Sequence, residues 1–179
     1  MRRPSTETRE HVLQVARDLF YANGIRATGV DRVAAAAGIA PTTLYRAFAS
    51  KDDLVAAYLA REAAGYREWF TAAAAGDHPR DRVLGLFDAL VAQVRAPDCR
   101  GCPFQIGVAE LADPGLPGHA VAAEVKRWTR DRLGELVEGH DALADELMLV
   151  LEGVYASVLT LGHEGPVLRA RALVERLLR

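Results

Sequence analysis

Residues 24–54 read GIRATGVDRVAAAAGIAPTTLYRAFASKDDL. Val30, Val33, Ala34 and Ala37 recur at helical spacing and Gly38 interrupts the run. Pro41 then opens a second helix at a first-turn position, where its missing N–H costs nothing. The spacing predicts two short helices joined by a tight turn and followed by a longer helix, a helix-turn-helix pattern. On the second of these helices, from about Pro41 to Phe48, Leu44 and Phe48 share one face, four residues apart. Thr42, Thr43, Tyr45 and Arg46 point elsewhere. The DNA major groove admits one α-helix, and the second helix of such a unit reads base edges from its N-terminal residues. The stretch therefore predicts sequence-specific DNA binding.

The agreement widens on both sides. Arg9, Val12, Leu13, Ala16, Leu19 and Phe20 supply a first helix closing at Gly24. Thr28, Val30, Val33, Ala34, Ala37 and Gly38 belong to the second, and Thr43, Leu44, Tyr45, Phe48, Lys51 and Leu54 to the third and the start of the fourth. Together these positions resemble the DNA-binding domain of the TetR (tetracycline repressor) family of bacterial transcription regulators. Two departures stand out. Where that family often carries Ser, a variable residue and Gly before Thr-Leu-Tyr, this chain has Ala40, Pro41 and Thr42; where a His commonly precedes the Phe, it has Ala47. Ala40 cannot cap the recognition helix with a side-chain oxygen, and Ala47 cannot donate to a phosphate.

The chain has 179 residues, half of them hydrophobic, enough to bury a sizeable core in one large domain or two small ones. Its net charge of −2 hides an asymmetry. Residues 1–51 hold eight Arg and Lys against four Asp and Glu, a net of +4, which leaves −6 for the remainder. A basic N-terminal module on an acidic body suits a DNA-binding head. Met1–Arg3 is basic, but no apolar stretch follows it, so no secretory signal is expected; no apolar run is long enough to span a bilayer. A cytoplasmic protein with no membrane partner is the expectation.

Beyond the opening stretch, Ser5 or Thr6 is expected to cap a first helix ending at Asn23-Gly24, with Arg2 and Arg3 forming a basic arm ahead of it. Ser50 is placed to cap a long fourth helix running past Trp69 toward Gly76, with Asp52 and Asp53 in its first turn complementing the helix dipole. Further helices are expected over Arg82–Arg95, Pro103–Leu111, about His119–Val137, Ala142–Leu161 and Pro166–Leu178, and nothing reads as a strand. The fold class is thus all-α with about nine helices. It comprises an N-terminal three-helix helix-turn-helix DNA-binding domain over residues 1–50 and a C-terminal helical ligand-binding and dimerisation domain over residues 51–179.

Thr28 precedes the second helix and is expected to cap it, leaving that helix's first N–H groups to a DNA phosphate. Pro41, Thr42, Thr43 and Arg46 are the candidate sequence readers: a Thr methyl can touch a thymine methyl, and Arg can pair with guanine or with phosphate. Tyr45, by the resemblance, contacts phosphate, and Lys51 is placed to clamp the backbone. The resemblance also implies an inducer cavity, for which Tyr66, Trp69, Phe70, Phe87, Phe104, Trp128 and Tyr155 are the candidate lining residues. Leu147, Val150, Leu151, Val154, Val158 and Leu161, with Leu173 and Leu177, exceed what one short bundle needs. Gly153, Ala156 and Ser157 permit close helix approach, which predicts a two-fold homodimer interface.

Taken together, the resemblance implies a homodimeric repressor released from a palindromic, double-stranded operator by a small, partly apolar molecule. Two alternatives stand beside it. Cys99 and Cys102 have the spacing of a redox pair or half a zinc site, which suits a redox- or metal-sensing regulator, although no second Cys pair or His-x-x-x-His completes a metal set. Ala40 and Ala47 suit a small-molecule binding protein with impaired operator recognition. His78, His119, His140 and His163 are scattered, and neither a Ser-His-Asp order nor a phosphate-binding or dinucleotide fingerprint occurs. No enzyme, cofactor or metal is expected.

Overall fold

Val12, Leu13, Ala16 and Phe20 share one side of the helix Thr6–Asn23, and all four are buried. That is the stripe expected of an amphipathic helix laid against a core. The computed structural model describes residues 6–179; the arm at Arg2 and Arg3 and the cap at Ser5 lie outside them. Among the described residues all regular structure is helical. It comprises α1 (Thr6–Asn23), α2 (Val30–Ala36), α3 (Pro41–Ala47), α4 (Lys51–Ala73), α5 (Pro79–Val94), α6 (Pro103–Glu110), α7 (Pro117–Leu136), α8 (Asp141–Leu161) and α9 (Pro166–Leu177). None of these helices is long and apolar enough to cross a membrane. The chain packs as two compact units, one from the described chain up to Ala63 with Pro103–Ala123, the other from Ala64–Cys102 with Glu124–Arg179.

In the first unit α1, α2 and α3 pack on one another around Val12, Ala16, Phe20, Val33 and Leu44. The Phe20 ring lies 5.6 Å from that of Tyr58, near the start of α4. Glycines end two of these helices. Gly24 follows α1 with φ of +94°, and Gly38 follows α2 with φ of +65°. Around Gly38 the Ile39 N–H donates to Ala34 O at 3.0 Å and the Gly38 N–H to Ala35 O at 3.1 Å, the paired closure that satisfies the last carbonyls of a helix. The Ser50 hydroxyl accepts the Asp53 N–H at 3.0 Å, so α4 carries its expected N-terminal cap. α6 and the start of α7 fold against α4 in the same unit. A Cβ on Gly118 would sit 2.8 Å from Leu111 Cδ1 and 3.0 Å from Val55 Cγ1, so only a glycine allows that approach.

The second unit is built on α5, α8 and α9. Leu86, Phe87, Leu90, Leu133, Leu147, Leu151, Val167 and Val174 are removed from solvent there, each contributing about 1.5–3 kcal/mol for a side chain of this size. α5 starts at Pro79, three residues before the expected Arg82. The proline's fixed φ is already helical, and its absent N–H would have been unsatisfied in a first turn. His163 Nδ1 donates to Val94 O at 2.6 Å, and the Arg171 guanidinium donates to Asp88 Oδ1 at 3.0 Å. His78 and His140 occupy N-cap positions without a side-chain cap bond.

Candidate nucleic-acid interface

α3 has only seven residues, too few to be stable alone. Its anchors are Leu44, fully buried, and Phe48, 3% exposed, both turned into the first unit. α1 holds it from behind: Arg9 Nη1 donates to Ala47 O at 2.8 Å, and the same guanidinium stands 4.1 Å over the Phe48 ring. The end of α2 is held in the same way, with His11 Nε2 donating to Ala37 O at 3.1 Å. Both contacts place a donor on the carbonyls at a helix C-terminus, where the backbone dipole favours it. α1 is in turn pinned to α4. Arg17 Nε donates to Glu62 Oε1 at 2.9 Å, and Arg61 donates to Gln14 Oε1 at 3.0 Å. Partial burial works against the charge on Arg17, but Glu62 and Asp18 outweigh it and hold the guanidinium above its ordinary value.

This scaffold turns the opposite face of α3 outward. Pro41, Thr42 and Arg46 are exposed, Tyr45 is 48% exposed, and Thr43 is half-buried. An exposed tyrosine of that size on a charged surface is the residue whose position a core role does not explain. Ala40 is the N-cap of α3 and makes no side-chain cap bond, as its methyl requires. Lys51 is half-buried, and its ammonium donates to Arg26 O at 3.3 Å.

Thr28 does not cap α2. The N-cap is Gly29, without any side-chain bond, and the Thr28 hydroxyl instead donates to Gly24 O at 2.8 Å. Thr28 is fully buried, so its hydroxyl closes the α1–α2 turn from inside. One residue of offset along an extended segment reverses the direction of a side chain.

Of the seven aromatic residues named for a ligand, four converge within the second unit. Tyr66 lies 5.5 Å from Trp69, 6.3 Å from Phe70 and 6.3 Å from Trp128, and Phe70 lies 5.3 Å from Trp128. Burial pushes the Tyr66 phenol well above its ordinary value; Cys102 and Glu152 add to the shift, and the hydrogen bond with Thr129 opposes it. Phe87 is fully buried in the same unit, and Tyr155 is 3% exposed with its hydroxyl donating to Gln93 Oε1 at 3.1 Å. Phe104, buried, belongs to the first unit.

Both cysteines are thiols. Cys99 is half-buried and Cys102 buried, with the Lys126 ammonium 3.1 Å from the Cys102 sulfur and 2.6 Å from Glu152 Oε1. Among the described residues no group of three or more His, Cys, Asp and Glu is placed to hold a metal ion.

Of the residues named for the dimer, Leu147, Leu151, Val154 and Val158 are buried inside the single chain, Val150 and Leu177 are half-buried, and Leu161 and Leu173 are exposed. Leu149, which sequence reasoning did not name, is 73% exposed. With Val150, Gly153, Val154, Ala170 and Leu173 it lines a largely apolar groove of about 560 Å³ between α8 and α9. Arg9 and His11 also escaped notice as positioning residues. Their partners lie 38 and 26 residues away, beyond the reach of any local pattern.

Residues 12–58 match the family profile of bacterial regulatory proteins of the tetR family. The curated HTH-type transcriptional regulator TcmR of Streptomyces glaucescens is 28% identical over 133 residues, an alignment that takes in 72% of this chain but only 57% of that protein. Among solved structures, a TetR-family transcriptional regulator from Streptomyces coelicolor superposes with a TM-score of 0.93 at 32% identity, covering 98% of this chain and 96% of its own. A TetR transcriptional regulator from Chloroflexus aurantiacus gives a TM-score of 0.85 at 25% identity over 96% and 94% of the two chains. These are regulators, and the likeness runs through the recognition helix and the remainder of the fold alike. The chain belongs to the TetR family of bacterial transcriptional regulators and is not an enzyme.

Proposed function

We propose that the protein is a DNA-binding transcriptional repressor that acts as a homodimer on a palindromic operator and is released by a small, partly apolar molecule. The observation that carries the DNA-binding reading is the two-sided character of α3. Leu44 and Phe48 fix the helix, while Pro41, Thr42, Tyr45 and Arg46 stand clear of the protein. Thr42, Thr43 and Arg46 serve as base readers, and Tyr45 and Lys51 hold phosphates. Thr28 contributes by closing the turn ahead of α2, with its hydroxyl committed to Gly24.

The exposed groove of α8 and α9 that Leu149, Val150 and Leu173 line, with Leu161 exposed at the end of α8, supplies the two-fold interface. Leu147, Leu151, Val154, Val158 and Leu177 stiffen that surface from within or at its margin. The aromatic group of Tyr66, Trp69, Phe70 and Trp128, with Phe87 and Tyr155 in the same unit, supports an apolar inducer site; Phe104 serves the first unit's core. Release requires an inducer that favours one head arrangement over another, since equal affinity for both shifts nothing.

The test is fluorescence anisotropy of the purified protein against the DNA upstream of its own gene and against scrambled DNA, at two salt concentrations. Saturable binding to the upstream DNA alone, with affinity reduced at least about tenfold in Tyr45→Ala, is the expected result. Equal, weak, strongly salt-dependent binding to both DNAs would instead indicate a ligand-binding protein with a degenerate head.

A further inference from the structure

The segment Pro103–Ala123 belongs to the compact unit that holds the helix-turn-helix, although residues 64–102 separate it from Ala63. Its sharpest contact there is polar. Glu110, the last residue of α6, accepts the backbone N–H of Arg26 at 2.7 Å. The carboxylate lies against the turn between α1 and α2: a Cβ on Gly24 would meet Glu110 Oε1 at 3.1 Å and Oε2 at 3.3 Å. Lys51 takes the other side of the turn, donating to Arg26 O at 3.3 Å. Arg26 is thus gripped through its N–H by α6 and through its C=O by the first residue of α4.

We propose that Glu110 is a positioning residue for operator binding. Through the Arg26 N–H it sets the α1–α2 turn, and with it the posture of α2 and of the recognition helix. This reading rests on the operator-binding function proposed above. Three features point to the turn as the place where such control acts. α2 starts at Val30 behind the N-cap Gly29, which makes no side-chain cap bond. Gly24, at φ of +94°, is a backbone position that few other residues would hold. Other bonds at the turn, Gly24 N–H to Phe20 O at 2.9 Å and the Thr28 hydroxyl to Gly24 O at 2.8 Å and Leu19 O at 3.4 Å, do not involve Arg26.

The geometry also gives Glu110 a line to the rest of the chain. Pro103 and Ala123 are joined by peptide bonds to Cys102 and Glu124, both residues of the second unit. Within the first unit this segment holds Arg26 through a hydrogen bond from its N–H to a carboxylate. Such a bond is strong when made and easily exchanged for water when displaced, since Arg26 is exposed. That combination suits a contact that must hold in one state and release in another.

The experiment compares the full-length protein with Glu110→Ala and Glu110→Gln. The readouts are anisotropy on the operator DNA and hydrogen exchange, followed by mass spectrometry, of a peptide spanning Gly24–Gly29. Gln keeps an oxygen that accepts the Arg26 N–H but carries no charge; Ala keeps neither. The expected result is a loss of operator affinity of about three- to tenfold in Glu110→Ala, with faster exchange in the turn, and near wild-type values for both in Glu110→Gln. Unchanged affinity and exchange in Glu110→Ala would overturn the proposal. So would equal losses in the two variants, because charge and not the bond would then be responsible. Should the wild-type protein bind no operator, the function above fails while the exchange of the turn still decides the inference: protection lost in Glu110→Ala and kept in Glu110→Gln upholds the grip on Arg26, and unchanged protection refutes it.

Discussion

At the scale of single residues, the positions that matter most are polar groups whose partners are far along the chain. Arg9 illustrates this. As a letter it is one more cation on a basic helix, yet it ties the last carbonyl of α3 and stacks on Phe48, 38 and 39 residues away. Tyr66 makes the same point with a measurable consequence. Burial is the main cause of its raised phenol value, so the folded protein holds that proton more tightly than the unfolded chain, where the ordinary value is 10.0. The stability this supplies is fully present below that value and is lost as the pH rises above it. Urea midpoints measured at about pH 8 and about pH 11 should therefore fall less in Tyr66→Phe than in the wild type; an equal fall would place the alkaline sensitivity elsewhere.

At the scale of elements, the short helices of the head show how little each can do alone. α2 and α3 have seven residues each and neither has a side-chain cap. Their stability comes from Leu44, Val33 and Ala34 packing inward and from the α1 side chains that satisfy their C-termini. The missing cap on α3 is correctable. Ala40 already has extended backbone, with φ of −68° and ψ of +144°, as an N-cap residue should. Ala40→Ser is accordingly expected to raise stability by about 1 kcal/mol, read as a higher urea midpoint at unchanged m value, while Ala40→Val should give no gain. The helix boundaries were legible because capping and breaking residues are local: Gly24, Gly38, Ser50, Pro103 and Pro166 all act where their chemistry says they should. Thr28 was misread because two adjacent residues both suited a cap, and only the backbone direction decides between them.

At the scale of the whole molecule, the question is which apolar surface the chain covers by itself. α8 carries apolar residues around most of its circumference, so its sequence shows an excess without saying which side meets α5 and α9. The structure assigns Leu147, Leu151, Val154 and Val158 inward and leaves Leu149 at 73% and Leu161 at 66% exposure. Leu149 shares a largely apolar groove between α8 and α9 with Leu173, and an exposed apolar patch of this kind marks an interaction surface. If that surface is the homodimer interface, Leu149→Glu with Leu161→Glu should leave helical content unchanged, convert the protein to a monomer in sedimentation equilibrium, and weaken operator binding by removing the second head. A double variant that sediments as a dimer would move the interface elsewhere.

The amino-acid sequence alone determined the all-α class, the helix-turn-helix, most helix ends and the outward face of α3. These depend on spacings of three or four residues and on local capping chemistry, which any reader of the chain can follow. Tertiary structure alone decided that α1 supplies the donors for the ends of α2 and α3, that Glu110 reaches Arg26 from 84 residues away, and that four of the aromatics converge while Phe104 joins a different unit. Those contacts are set by the packing of helices distant in sequence. An apolar stripe specifies that a helix must be covered, but not by what, because hydrophobic burial has no direction of its own.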